Sequence, residues 1–189
     1  MSPGALDCTT VLEKLLLKNS DINTYSIVDE RSSVYVALGK TKSDKYKRPV
    51  LVITTSGTAT ANLLPAIIES SLSKTPLIVI TADRPKYLID KGENQTINQH
   101  NIFGNYVQYF SDTGDCRLLD ENNIRGIAIQ TYKCSMGLTD KSKISFSRGP
   151  VHLNVPFDKP LHLSKEIRNR DYNFKSNINS PTHITKLSN

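Results

Sequence analysis

From Pro49 to Pro85 the hydrophobic pattern changes period twice, and that change limits the chain to very few folds. Residues 50–53 form a short apolar run, as in a strand, and the small-residue turn Thr54-Thr55-Ser56-Gly57-Thr58-Ala59 follows. A helical stripe comes next: Leu63 and Leu64 recur as Ile67 and Ile68, Leu72 extends the stripe, and Pro65 suits a first helical turn. Residues 77–80 are apolar at every position, as in a strand buried on both faces of a parallel sheet, and stop at Thr81-Ala82-Asp83-Arg84-Pro85. Strand, turn, helix and strand predict a βαβ unit in a parallel sheet. Ligands of such sheets bind at the carboxyl ends of the strands. Here those ends carry Glu30, the Thr/Ser/Gly turn and the Asp83-Arg84 pair.

The rest of the chain keeps the alternation. Thr9 or Thr10 caps a helix over 11–18, and a strand over 25–28 delivers Asp29 and Glu30 at its end. Ser32 caps a short helix through Tyr35 and Leu38, which Gly39 stops in the left-handed conformation. Residues 91–104 suit a loop over the rim or a short helix, and 106–110 a strand. A helix is expected over 121–136 with Ile124, Ala128 and Thr131 on one face, and a proline-bracketed strand over 149–156. His152, in mid-strand, reads as a buried core residue. The expected fold is a three-layer α/β/α sandwich with a mostly parallel, doubly wound sheet over residues 1–163. A polar linker or tail without periodicity follows over 164–189.

Composition excludes several classes. With 189 residues the chain suits one domain with a proper core. No apolar run approaches the ~20 residues of a membrane span, and the N-terminus lacks the pattern of a signal peptide. The expected compartment is the cytoplasm, or the plastid stroma if the gene is plastid-encoded. Cys8, Cys116 and Cys134 form neither metal-ligand nor CxxC spacing and read as structural thiols. The net charge of +6 raises nucleic-acid binding. The basic run at 40–48 sits where a solvated loop is expected, and aromatics are not interleaved with it, so no nucleic-acid partner is expected.

The segments DERS, ALG, TSGTATANLLPAIIESS, PLIVITADRP, GENQTINQ and RGPVHLNVPFDKPL occur in this order. Together they resemble the N-terminal, pyrimidine-binding domain of the 2-succinyl-5-enolpyruvyl-6-hydroxy-3-cyclohexene-1-carboxylate (SEPHCHC) synthases, thiamine-diphosphate enzymes of menaquinone and phylloquinone biosynthesis. The likeness runs over residues 2–163, and TADRP followed by NQTI is its most specific part. It implies decarboxylation of 2-oxoglutarate and 1,4-addition of the succinyl unit to isochorismate. Glu30 would contact N1′ of the aminopyrimidine and activate the cofactor. Thr55, Ser56, Gly57, Thr58 and Asn62 would line the cofactor; Arg84, Asn94 and Gln95 would hold isochorismate. Diphosphate and Mg²⁺ would be held by a GDG-containing domain of a neighbouring subunit, within a homo-oligomer. Read without the resemblance, Glu30 is equally a salt-bridge partner of Arg31 or a lysine, Arg84 an ion pair with Asp83, and Asn62 a helix cap.

The sequence also departs from that pattern. The family carries an opening helix and strand before its Ser-Pro-Gly motif, and the sequence here starts at that motif, so a gap inside the sheet is expected. Where the family continues Ser-Arg, this chain has Ala5-Leu6-Asp7, which brings one substrate carboxylate contact into question. No GDG…N signature occurs; Gly114-Asp115-Cys116 has the wrong third residue. Three readings follow: a part of the synthase active only with a diphosphate-binding domain, an inactive remnant of it, or the pyrimidine-binding domain of an acetolactate-synthase-like enzyme. TADRP and NQTI speak against the third.

Overall fold

Four strands pair side by side in the order β1-β2-β4-β3, all parallel. They are β1 (Val50–Thr54), β2 (Leu77–Asp83), β3 (Tyr109–Asp112) and β4 (Pro150–Pro156). The helices are α1 (Glu30–Ser43), the single turn α2 (Thr58–Ala61), α3 (Leu64–Leu72) and α4 (Glu121–Ser135). This computed structural model describes residues 23–115, 118–138 and 147–158. The helix expected over 11–18, the segment Ala5-Leu6-Asp7, Cys8, Cys116 and the tail lie outside the described residues.

Register explains how the core divides. Val52 pairs with Val79 and Val79 with His152, so these three point to one face. That face packs against Val34, Ala37 and Leu38 of α1, Leu63, Ala66 and Ile67 around the start of α3, and Phe103. The opposite face carries Val151 and Leu153 and receives α4, whose Ser135 hydroxyl reaches the carbonyls of Leu77 (3.3 Å) and Gly149 (3.1 Å). Ile78 and Ile80 on that face are only half-buried, so β2 is less enclosed than its unbroken apolar run suggests.

Several expectations are corrected. Residues 25–28 form no strand: they are irregular and exposed, Val28 by 95%. Apolar content alone makes no strand without a neighbour to take up its backbone groups. Among the described residues the four strands are contiguous, so no gap separates them; the outer edges of β1 and β3 are the two without a described neighbour. Helix α1 starts at Glu30, because the Asp29 carboxylate accepts the Ser32 N–H at 2.6 Å, and it runs through Gly39 to Ser43. Burial of Leu38 and Thr41 on either side of Gly39 outweighs the ~1 kcal/mol that glycine costs a helix interior. The stripe after the turn is split at Asn62-Leu63, and Leu72 is exposed. In α4 only the last turns are buried, at Thr131, Cys134 and Ser135, whereas Ile124 and Ala128 face outward.

Candidate active site

Parallel strands bring their carboxyl ends to one rim. Helix α1 enters β1 through residues 44–49, and Thr41 Oγ1, near its end, accepts the N–H of Val50, the first residue of the strand. Helix and strand therefore run antiparallel. Fourteen helical residues span ~21 Å and five strand residues ~17 Å, so Glu30 lies at the end of α1 level with the turn after β1. Glu30 is half-buried, and its carboxylate makes no hydrogen bond or ion pair among the described residues. The salt-bridge reading of Glu30 has no support there.

The turn is clamped from the side. Gly57 adopts φ +79° and ψ −138°, a conformation essentially reserved for glycine. Gln95, itself at φ +58°, donates its side-chain amide to Thr55 Oγ1 (2.8 Å) and to the Ser56 carbonyl (3.0 Å), while its own carbonyl accepts the Ser56 hydroxyl (2.9 Å). Gln95, expected to face substrate, thus also buttresses the turn that is expected to face the cofactor. Thr58 is exposed at the start of α2, and Thr54 Oγ1 is buried without a hydrogen-bond partner. Asn62 is exposed and only its backbone takes part in ending α2, so it does not cap the next helix with its side chain. Asn94 is exposed in the loop, with its carbonyl accepting the Thr96 hydroxyl.

At the end of β2, Asp83 is buried. Its Oδ1 accepts the Arg84 backbone N–H and its Oδ2 the Asn154 amide, each at 2.7 Å. Burial holds the Asp83 carboxyl above its ordinary range, and these two hydrogen bonds offset part of that rise. Arg84, half-buried, leaves the sheet directly after this anchored carboxylate.

Sequence reasoning read His152 as core but passed over the polar group it joins beneath the rim, whose members lie in the segments ITADRP, NQTINQ and PVHLNVP. Gln99 is fully buried: its Oε1 accepts the Gly57 N–H at 2.6 Å, and its Nε2 donates to the Ala82 carbonyl and to Asn154 Oδ1, each at 3.0 Å. The Gly57 N–H can only donate and the Ala82 carbonyl can only accept, so the amide of Gln99 has a single orientation. Asn154 consequently turns its oxygen to Gln99 and Thr81. The Thr81 hydroxyl donates to that oxygen at 2.9 Å and accepts from His152 Nε2 at 2.8 Å. His152 is therefore the neutral Nε2–H tautomer, wedged beside Phe103 and Phe110 with ring centroids 4.7 and 5.2 Å away. Its Nδ1 is buried without a partner.

Burial pushes the pKa of His152 down from 6.5 to about 4, the Asp112 carboxylate pulling the other way. The unfolded chain then binds a proton that the folded chain does not. This contribution to stability is complete above pH 6.5 and is lost as the pH falls from 6.5 to about 4, up to ~3 kcal/mol. Asp83 acts in the opposite sense once the pH drops through its raised pKa. Urea midpoints at pH 7 and 4.5 are expected to differ in the sense set by His152, and His152→Leu is expected to flatten that difference.

Among the described residues no group of three or more His, Cys, Asp or Glu side chains comes together to hold a metal ion. No described helix is long and apolar enough to cross a membrane. Cys134 is a buried free thiol whose pKa is raised by burial.

A parallel α/β sheet with a glycine turn, a carboxylate and a cation on its carboxyl rim defines a cofactor-binding domain of the doubly wound class. Residues 7–102 match the family described as "Thiamine pyrophosphate enzyme, N-terminal TPP binding domain", and the chain belongs to that family. It is 42% identical over 153 residues to the SEPHCHC synthase of Bacillus velezensis, which covers 81% of this chain and 25% of the relative. The synthase of Halobacterium salinarum is 41% identical over 143 residues (76% and 23%), and that of Staphylococcus saprophyticus 39% over 166 (88% and 28%). The chain spans about a quarter of the length of these relatives. Among solved structures, benzoylformate decarboxylase from Polynucleobacter necessarius shares the fold, with a TM-score of 0.57 at 22% identity over 73% of this chain and 23% of that one.

Proposed function

We propose that this chain is the pyrimidine-binding part of a SEPHCHC synthase, working with a diphosphate-binding domain to transfer the succinyl unit of 2-oxoglutarate to isochorismate. One observation carries the reading. Glu30 presents a half-buried carboxylate with no partner among the described residues, at the same end of the fold as a turn locked in a glycine-only conformation. An acceptor without a partner among the described residues and a small-residue turn fit an aminopyrimidine ring.

Thiamine diphosphate, when bound, supplies the electron sink that decarboxylation of a 2-oxo acid requires. Glu30 would hold or receive the proton at the pyrimidine N1′. The turn Thr55-Ser56-Gly57-Thr58 would set the height of the ring, with Gly57 N–H turned inward to Gln99. Asn62 and Asn94, exposed beside the turn and in the facing loop, are amide donors for cofactor and substrate respectively. Arg84 offers a two-pronged donor to a carboxylate of isochorismate, and Gln95, braced against Thr55 and Ser56, would hold the same substrate. Mg²⁺ and the diphosphate would be held by the neighbouring subunit of a homo-oligomer.

The test is product formation from 2-oxoglutarate and isochorismate when the chain is mixed with a separately expressed diphosphate-binding region, thiamine diphosphate and Mg²⁺. Turnover that requires both chains is expected. Arg84→Ala is expected to raise KM for isochorismate roughly 10- to 100-fold, the value of a charge-assisted hydrogen-bond pair, with a smaller effect on kcat. A folded, associated chain that gives no product would leave the remnant reading in place.

A further inference from the structure

We propose that Gln99 is a positioning residue that couples the Gly57 turn to the Asp83-Arg84 end of β2. Among the described residues its amide is the group that touches both. Oε1 holds the Gly57 N–H, Nε2 holds the last carbonyl before Asp83, and the second Nε2 proton goes to Asn154, 55 residues away in sequence. Asn154 passes the constraint on: its oxygen is committed to Gln99 and Thr81, so its nitrogen must face Asp83 Oδ2, at 2.7 Å. Asp83 in turn fixes the Arg84 N–H through Oδ1 at 2.7 Å. Each link has one allowed polarity, because the series begins at a backbone donor and a backbone acceptor. Fully buried amides are costly unless paired, so the series is a two-ended constraint rather than a set of independent contacts. Gln99 touches neither ligand face; it acts through Gly57 at one end and through Asn154 and Asp83 at the other.

That Gly57 faces the cofactor and Arg84 the substrate rests on the function proposed above, whereas the coupling between them does not. The two are separable by experiment on the full chain without turnover. In the unsubstituted protein the Gly57 amide is expected at low field in the ¹⁵N spectrum and protected from exchange. Gln99→Met removes both ends of the link: Gly57 exchange is expected to rise by at least roughly tenfold, and the Arg84 amide is expected to shift although Gln99 does not touch it. Gln99→Glu keeps the acceptor for Gly57 but loses both donors. It should leave Gly57 protected, turn Asn154 around and shift Arg84. Amides of Val52 and Val79 in the core report whether each variant is folded. A Gly57 amide unprotected in the unsubstituted chain, or an Arg84 amide indifferent to both substitutions, would overturn the proposal. If Gln99→Met does not fold, the pattern in Gln99→Glu and in the unsubstituted chain still decides it. Failure of the assembled enzyme to turn over would count against the function and leave these shifts unaffected.

Discussion

Replacing Glu30 by glutamine is expected to reduce turnover of the assembled enzyme by roughly 10²–10⁴-fold, the range lost with a positioned proton-transfer group. The substitution keeps shape and hydrogen-bonding capacity but removes the negative charge that, in the proposed role, would favour a proton on the pyrimidine N1′. Fold stability should fall by less than about 1 kcal/mol, because Glu30 has no side-chain partner among the described residues and contributes only its charge at the first turn of α1. Asp29, one residue earlier, provides the counter-test. Its carboxylate caps α1 through the Ser32 N–H, and the Ser32 side chain together with that N–H holds its pKa below the ordinary range. Asp29→Ala is expected to lower stability while leaving kcat far less affected than Glu30→Gln. Steady-state kinetics and urea denaturation of both variants separate the two roles.

Gly57→Ala is expected to cost about 2–4 kcal/mol and to lower Tm by roughly 5–15 °C. A Cβ at this position would lie 2.9 Å from the Gln95 carbonyl oxygen, 3.0 Å from its Cγ and 3.1 Å from its carbonyl carbon. Two of those atoms are backbone, and the oxygen already holds the Ser56 hydroxyl. Any relief must therefore push the 94–99 loop off the turn, breaking the contacts of Gln95 with Thr55 and Ser56. Affinity for thiamine diphosphate should fall with stability. Gly39→Ala sets the baseline: that glycine lies inside α1 with nothing within 4 Å of the added methyl, and the change should stabilise by about 0.5–1 kcal/mol. Thermal melts of the two variants should move in opposite directions.

Strands β1 and β2, the turn between them and the rim they share were legible because each depends on short-range pattern and on the parallel topology that pattern implies. The strand at 149–156 and the helix at 121–136 were readable for the same reason. Tertiary context defeated the local signals elsewhere. Gly39 looked like a helix stop, but burial of Leu38 and Thr41 carries α1 past it. Ile124 and Ala128 looked like a buried face, but the Ser135 hydroxyl ties only the last turns of α4 to the sheet. Residues 25–28 looked like a strand, and no described neighbour pairs with them. The group around Gln99 was invisible for a different reason: its hydrogen bonds join residues 17 to 73 positions apart, and nothing in the spacing of polar residues announces which of them meet. Gln95 shows the intermediate case, where a motif marks the residue but its grip on Thr55 and Ser56 needs the fold.

The central claim is that an aminopyrimidine ring sits between Glu30 and the turn at residues 55–58. Deuterium exchange on the chain assembled with its diphosphate-binding partner, with and without thiamine diphosphate and Mg²⁺, tests it most directly. The account predicts cofactor-dependent protection in the first turn of α1 and across residues 55–58, weakened at the former by Glu30→Gln. Cofactor binding that leaves both segments unprotected would contradict it.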